Sequence, residues 1–123
     1  MGRWEGTPLD IKWNVKDGTL VIKVSGEMDL HTAGDFKQVV ERASAMHRVR
    51  GLMVDLSDIS FIDSSGMGAL LGRFRQIRMM GGAMTIAAPS PQARQVLELA
   101  GISKIITIVD EPAIVEELGG GDQ

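Results

Sequence analysis

The sequence predicts an α/β domain built on a mixed β-sheet, with an N-terminal hairpin feeding parallel βα units. Three observations carry that prediction. Residues 10–24 alternate apolar and polar side chains around an Asp17-Gly18 turn signal. From residue 32 onward, apolar stripes at spacings of three and four take turns with short apolar runs. Each stripe opens on a capping residue and closes on glycine or on basic residues. Strands alternating with helices in this way pair in parallel through right-handed crossovers.

The first eight residues read as a loose lead-in. Ile11, Trp13 and Val15 alternate with Lys12, Asn14 and Lys16, which predicts a half-buried strand from Asp10 to Lys16. Leu20, Ile22 and Val24 continue as the second arm of an antiparallel hairpin that ends at Gly26-Glu27-Met28-Asp29. Thr32-Ala33-Gly34-Asp35 resembles a capping box, with Asp in place of Glu, and starts a helix. Phe36, Val39, Val40 and Ala43 form its inward face; Lys37, Glu41 and Arg42 face out. His47-Arg48-Val49-Arg50 closes it with positive charge, where the helix dipole favours cations.

Leu52, Met53, Val54 and Leu56 predict a short buried strand, interrupted by Asp55 and ending near Asp58. After Asp63-Ser64-Ser65-Gly66 the period changes: Met67, Leu70, Leu71, Phe74 and Ile77 make a helical stripe that stops at Gly81-Gly82. One of Asp63, Ser64 and Ser65 caps this helix, with Asp63 or Ser64 favoured over Ser65. Ala83 to Ala88 is a further strand. Ser90-Pro91 starts the next helix, with Ala93, Val96, Leu97 and Ala100 inward and Gly101 as its stop. A fifth strand lies within Ile102 to Val109, placed at Ile105 to Ile108. A short helix is expected from Glu111 to Leu118, with Pro112 at its start, and GGGDQ is a tail. The whole is a single domain, 1–123, with an ordered core at 8–118.

Composition narrows the function. At 123 residues and 44% hydrophobic, the chain can build one core, and with 4% aromatics that core is aliphatic and methionine-rich. A net charge of -3 gives no pull toward nucleic acid or an anionic membrane. The absence of cysteine excludes disulfides, thiolate zinc sites and thiol catalysis, and suits the cytoplasm. No apolar run approaches the ~20 residues of a bilayer span, and MGRWEGTPLD lacks a signal-peptide core. The two histidines, His31 and His47, read as surface residues, so no metal or other cofactor is expected.

The residues FIDSSGMGALLGRFRQIRMMGG resemble the STAS-domain anti-sigma factor antagonists of bacteria. The similarity continues through VSGEMDLHTAGDFKQ upstream and SPQARQVLELAGISKII downstream, and favours the sporulation-type antagonists over transporter-linked STAS domains. This resemblance implies a STAS-like mixed sheet with helices mainly on one face. It also implies a partner switch. The unmodified protein binds an anti-sigma factor that is a serine kinase, which frees a sigma factor. Phosphorylation of the second serine of D-S-S-G, which maps onto Ser65, ends that binding, and a serine phosphatase resets it. Asp29 matches an acidic residue that the family uses at the partner interface.

Ser64, Ser65, Gly66, Met67 and Gly68, with Asp29, are therefore the expected partner-binding residues. Gly66 and Gly68 would let a kinase approach the backbone. Each has a plainer reading. Gly68 and Gly72 serve helix packing, Met67 is core, and Asp29 caps the first helix. Arg73, Arg75 and Arg78 form a solvated face or a docking patch for acidic groups. Two functional rivals remain beside the switch. A hydrolase lacks the G-x-S-x-G elbow and has no histidine after the serine, so no catalytic residue is assigned. The alternative is a nucleotide- or lipid-binding STAS-type module without a kinase switch, although no P-loop is present.

Overall fold

A computed structural model describes residues 2–5 and 9–115. Six strands form one sheet in chain order: β1 (Gly2–Glu5), β2 (Leu9–Lys16), β3 (Thr19–Met28), β4 (Gly51–Ile62), β5 (Ala83–Ala87) and β6 (Thr107–Val109). β1, β2 and β3 pair antiparallel; β3 through β6 pair in parallel. Three helices fill the crossovers: α1 (Ala33–His47), α2 (Ser64–Met79) and α3 (Pro91–Leu99). The sheet is mixed, as the hairpin followed by βα units requires. Its core is aliphatic, with Phe36 the one aromatic side chain fully enclosed among the described residues.

α1 and α2 pack side by side over the face that carries Leu20, Ile22, Leu52, Val54, Met84 and Ile86. α3 rests on the C-terminal half of β4. The hairpin turn puts Asp17 and Gly18 at φ of 53° and 78°, the left-handed region that a D-G pair tolerates. Ala93 and Leu97 of α3 are buried as expected, whereas Ala100 is its exposed C-cap.

The structure redraws several boundaries. Part of the expected lead-in, Gly2–Glu5, is an edge strand on β2. β4 does not stop at Asp58 but runs to Ile62, because β3 continues beside it to Met28 across two register shifts. β5 leaves β4 after Asp55, so the polar residues beyond it mark the loss of one neighbour and not a strand end. The buried Asp55 carboxylate accepts hydrogen bonds from Ser57 and from the Ala113 N–H. Ile102–Lys104 is a 3-10 turn, which pushes the last strand to Thr107–Val109. The expected helix from Glu111 is non-helical through Val115; its remaining residues, and the GGGDQ tail, lie outside the described residues.

The buried face of α2 is Gly66, Leu70, Arg73 and Ile77. The expected stripe residues Met67, Leu71 and Phe74 are half-buried along its flank. Arg73 is thus removed from the solvated arginine face: only 9% exposed, it meets Glu41 of α1 with Nη1 3.0 Å from Oε2. A long aliphatic stem lets arginine occupy such a position while its head reaches a partner. Arg75 and Arg78 remain exposed, the latter with its guanidinium 5.5 Å from the Phe74 ring centroid.

Candidate functional site

All the expected site residues gather at the C-terminal edge of the parallel strands. Parallel pairing brings the ends of β3 and β4 level, since Met28 is in register with Ile62. The Asp29 turn leaves one strand and the Asp63-Ser64-Ser65 turn leaves the other. They are tied by the Asp63 N–H donating to the Met28 carbonyl at 3.2 Å.

Asp63 is the cap of α2. Its Oδ1 accepts from the N–H groups of Ser65 at 2.8 Å and Gly66 at 3.1 Å. That satisfies two of the donors a helix start leaves open. It also relieves both serines of capping. Ser64 is exposed and Ser65 is half-buried; among the described residues the Ser65 hydroxyl makes no hydrogen bond. The hydroxyl of Ser65 is thus chemically uncommitted. The backbone donors beside it, however, are already taken by a carboxylate.

Gly66 and Gly68 differ sharply. Gly66 is buried, and a Cβ placed there would lie 2.4 Å from the Met28 carbonyl oxygen and 2.9 Å from Ile62 Cγ1. Its missing side chain lets α2 close onto its own sheet; it does not open the backbone to another protein, which corrects that part of the expectation. Gly68 is exposed and Gly72 half-buried, and an added Cβ at either would have nothing within 4 Å. Neither of these two is needed for packing inside the domain. Met67 is half-buried against the core.

Asp29 has a local role of its own. Its Oδ1 accepts from the N–H groups of His31 at 2.9 Å and Thr32 at 3.2 Å. This orders the turn before α1 and leaves Oδ2 without a partner among the described residues. The expected capping box does not form. Thr32, 2% exposed, turns its hydroxyl back to the Glu27 carbonyl at 2.7 Å, while its oxygen accepts from the Asp29 N–H. Thr32 therefore locks the Asp29 turn to β3 instead of capping α1.

Two apolar side chains on this edge escaped sequence reasoning. Leu30, in the Asp29 turn, is 74% exposed, and Phe61, at the end of β4, is 49% exposed. The available signal was a leucine placed inside the otherwise polar turn Asp29-Leu30-His31-Thr32, outside any strand or helix period. The edge also carries the carboxylates of Glu27, Asp29 and Asp63, while Asp58, farther back on β4, is paired with Lys23 at 3.5 Å. No helix among the described residues is long and apolar enough to cross a membrane.

Comparison with known proteins agrees with this architecture. The STAS domain profile matches residues 10–113. The chain is 31% identical over 102 residues to the anti-sigma F factor antagonist of Paenibacillus polymyxa, covering 83% of this chain and 87% of that one. Among solved structures it resembles the anti-sigma factor antagonist SpoIIAA in its unphosphorylated form, with a TM-score of 0.69 and 28% identity over 80% of this chain and 86% of that one. It also resembles the Bacillus cell fate determinant SpoIIAA in the phosphorylated form, with a TM-score of 0.64, 28% identity, and coverage of 80% and 89%.

Proposed function

We propose, since this chain belongs to the STAS-domain family of anti-sigma factor antagonists, that it works as a partner switch thrown at Ser65. In the unmodified state it binds an anti-sigma factor through the edge formed by Asp29, Ser64, Ser65, Met67 and Gly68. That partner is a serine kinase, which releases its sigma factor on binding and spends ATP to phosphorylate Ser65. A serine phosphatase restores the hydroxyl. The protein itself is the substrate of these enzymes and carries no catalytic residue of its own.

The observation that carries this reading is the uncommitted Ser65 hydroxyl beside an Asp63 cap. Phosphorylation adds about -1.5 to -2 charges there. With the nearest backbone N–H groups already bonded to Asp63, the new dianion has a carboxylate as its neighbour and little local compensation. A docked partner would have to desolvate both. Burying poorly compensated charge costs several kcal/mol, and a loss of ~4 kcal/mol weakens binding about a thousandfold. The switch then needs no refolding; charge and bulk at the edge suffice. Leu30 and Phe61 supply apolar contact area on the same edge, and the surrounding carboxylates favour a basic partner surface.

Incubation with the cognate anti-sigma kinase and ATP, followed by peptide mass spectrometry, tests the assignment. Phosphate is expected on Ser65, with Ser65→Ala unmodified yet still bound to the kinase. Phosphate found only on Ser64 or Thr32 would remove Ser65 from the switch.

A further inference from the structure

A groove of about 240 Å³ lies between α1 and α2, away from the Ser65 edge. Val40, Leu52 and Ile77 give it an apolar floor, Met80 stands at its lip, and Arg73 and Glu41 line it. Arg73 is the unusual member. It occupies a position on the buried face of α2 where an aliphatic residue would pack without desolvating a charge. Its Nη1 reaches Glu41, but its Nε–H has no acceptor among the described residues. Buried donors are nearly always paired, and leaving one unpaired forfeits its hydration without return. Glu41, by contrast, keeps 45% of its side chain exposed and can swing into water.

We infer that this groove is a binding site for a small carboxylate with an apolar tail, its head on the Arg73 guanidinium and its tail on Val40, Leu52 and Ile77. Arginine is suited to this because two adjacent N–H groups donate to a carboxylate as a planar pair. In the unliganded protein Glu41 fills only part of that capacity. At ~30 Å³ per water, the groove has room for about eight waters, which matches an acid of eight to ten heavy atoms. Drug-sized ligands need larger pockets. Met80, 64% exposed, is a flexible apolar side chain able to fold over the tail. The inference does not depend on the Ser65 switch, because no residue is shared with that edge.

Titrating sodium octanoate into the isotopically labelled full chain and following amide resonances by NMR tests it. Saturable shifts are expected at Val40, Arg73 and Ile77. Acetate, which lacks the tail, and 1-octanol, which lacks the head, should not reproduce them. Arg73→Met keeps the bulk and removes the charge; it should weaken octanoate about tenfold. Glu41→Gln, at a half-exposed position that tolerates change, should tighten octanoate about threefold by removing the competing carboxylate. Absence of saturable shifts in the groove, equal shifts with octanol, or unchanged affinity in Glu41→Gln would each overturn the assignment.

Discussion

Two helices of this protein carry a serine at their start, Ser65 in the first turn of α2 and Ser90 at the cap of α3, and the two serines have opposite fates. Ser90 at the start of α3 is 7% exposed and its hydroxyl is used twice: it donates to the Ile59 carbonyl at 2.6 Å and accepts from the Ala93 N–H at 3.1 Å. Ser65 at the start of α2 is half-buried, and Asp63 does its capping for it. A serine at a helix start is therefore a structural part or an available nucleophile depending on whether a neighbour has taken over the cap. The acidic residue two places earlier makes that difference here.

The largest test of the contrast is on partner binding. Ser65→Asp should raise the dissociation constant for the anti-sigma factor about a thousandfold, a loss of ~4 kcal/mol, while circular dichroism stays native. Calorimetric titration checks it, and unchanged affinity would cut the link between charge at Ser65 and release of the partner. Next in size is Gly66→Ala. With a Cβ 2.4 Å from the Met28 carbonyl oxygen, overpacking should cost about 3 kcal/mol in urea unfolding. Gly68→Ala, two residues along the same turn, should instead gain up to about 1 kcal/mol from helix propensity. Equal effects at the two positions would show that the helix start is not seated on β3 as described.

Ser90→Ala should cost about 2 kcal/mol, since it removes a cap and strands a buried carbonyl. Ser65→Ala should change stability by less than ~0.5 kcal/mol. Comparable losses in the two unfolding curves would mean that the Ser65 hydroxyl is committed after all. A smaller loss than at Ser90 is expected at the residue that frees Ser65. Asp63→Ala should cost ~1 kcal/mol, and it should also fray the first turn of α2, read as faster amide exchange at Ser65 and Gly66. Protection unchanged at those two amides would assign the cap to another group.

The contrast explains which features were legible in the chain. The Asp63-Ser64-Ser65-Gly66 signature announced a helix start, and Asp63 was among the residues named for the cap. Thr32-Ala33-Gly34-Asp35 announced another start, and there the inference about its bonds failed. The Thr32 hydroxyl found a stronger use on the Glu27 carbonyl five residues back, a contact made only when the turn folds onto β3. Arg73 leaves the expected solvated face for a related reason. Its helical position borders the apolar stripe, and only the approach of α1 with Glu41 decides that it lies inside. β4 outruns its sequence signal because Asp55 and Asp58 resemble terminators, whereas β3 alone sustains the pairing beyond them.

Periodicity, turn signals and caps depend on residues close in sequence, so the chain alone determined the order of its elements from β2 to β6, the mixed sheet and the helix start that bears Ser65. Burial and hydrogen-bond partnership depend on what the neighbouring element brings. Only the tertiary structure decided that Ser90 also reaches the Ile59 carbonyl, that Gly66 is seated on Met28 while Gly68 is open, and that Arg73 faces a groove. Those outcomes come from parallel pairing that sets the ends of β3 and β4 level and lays α1 beside α2, placing residues more than thirty positions apart within bonding distance.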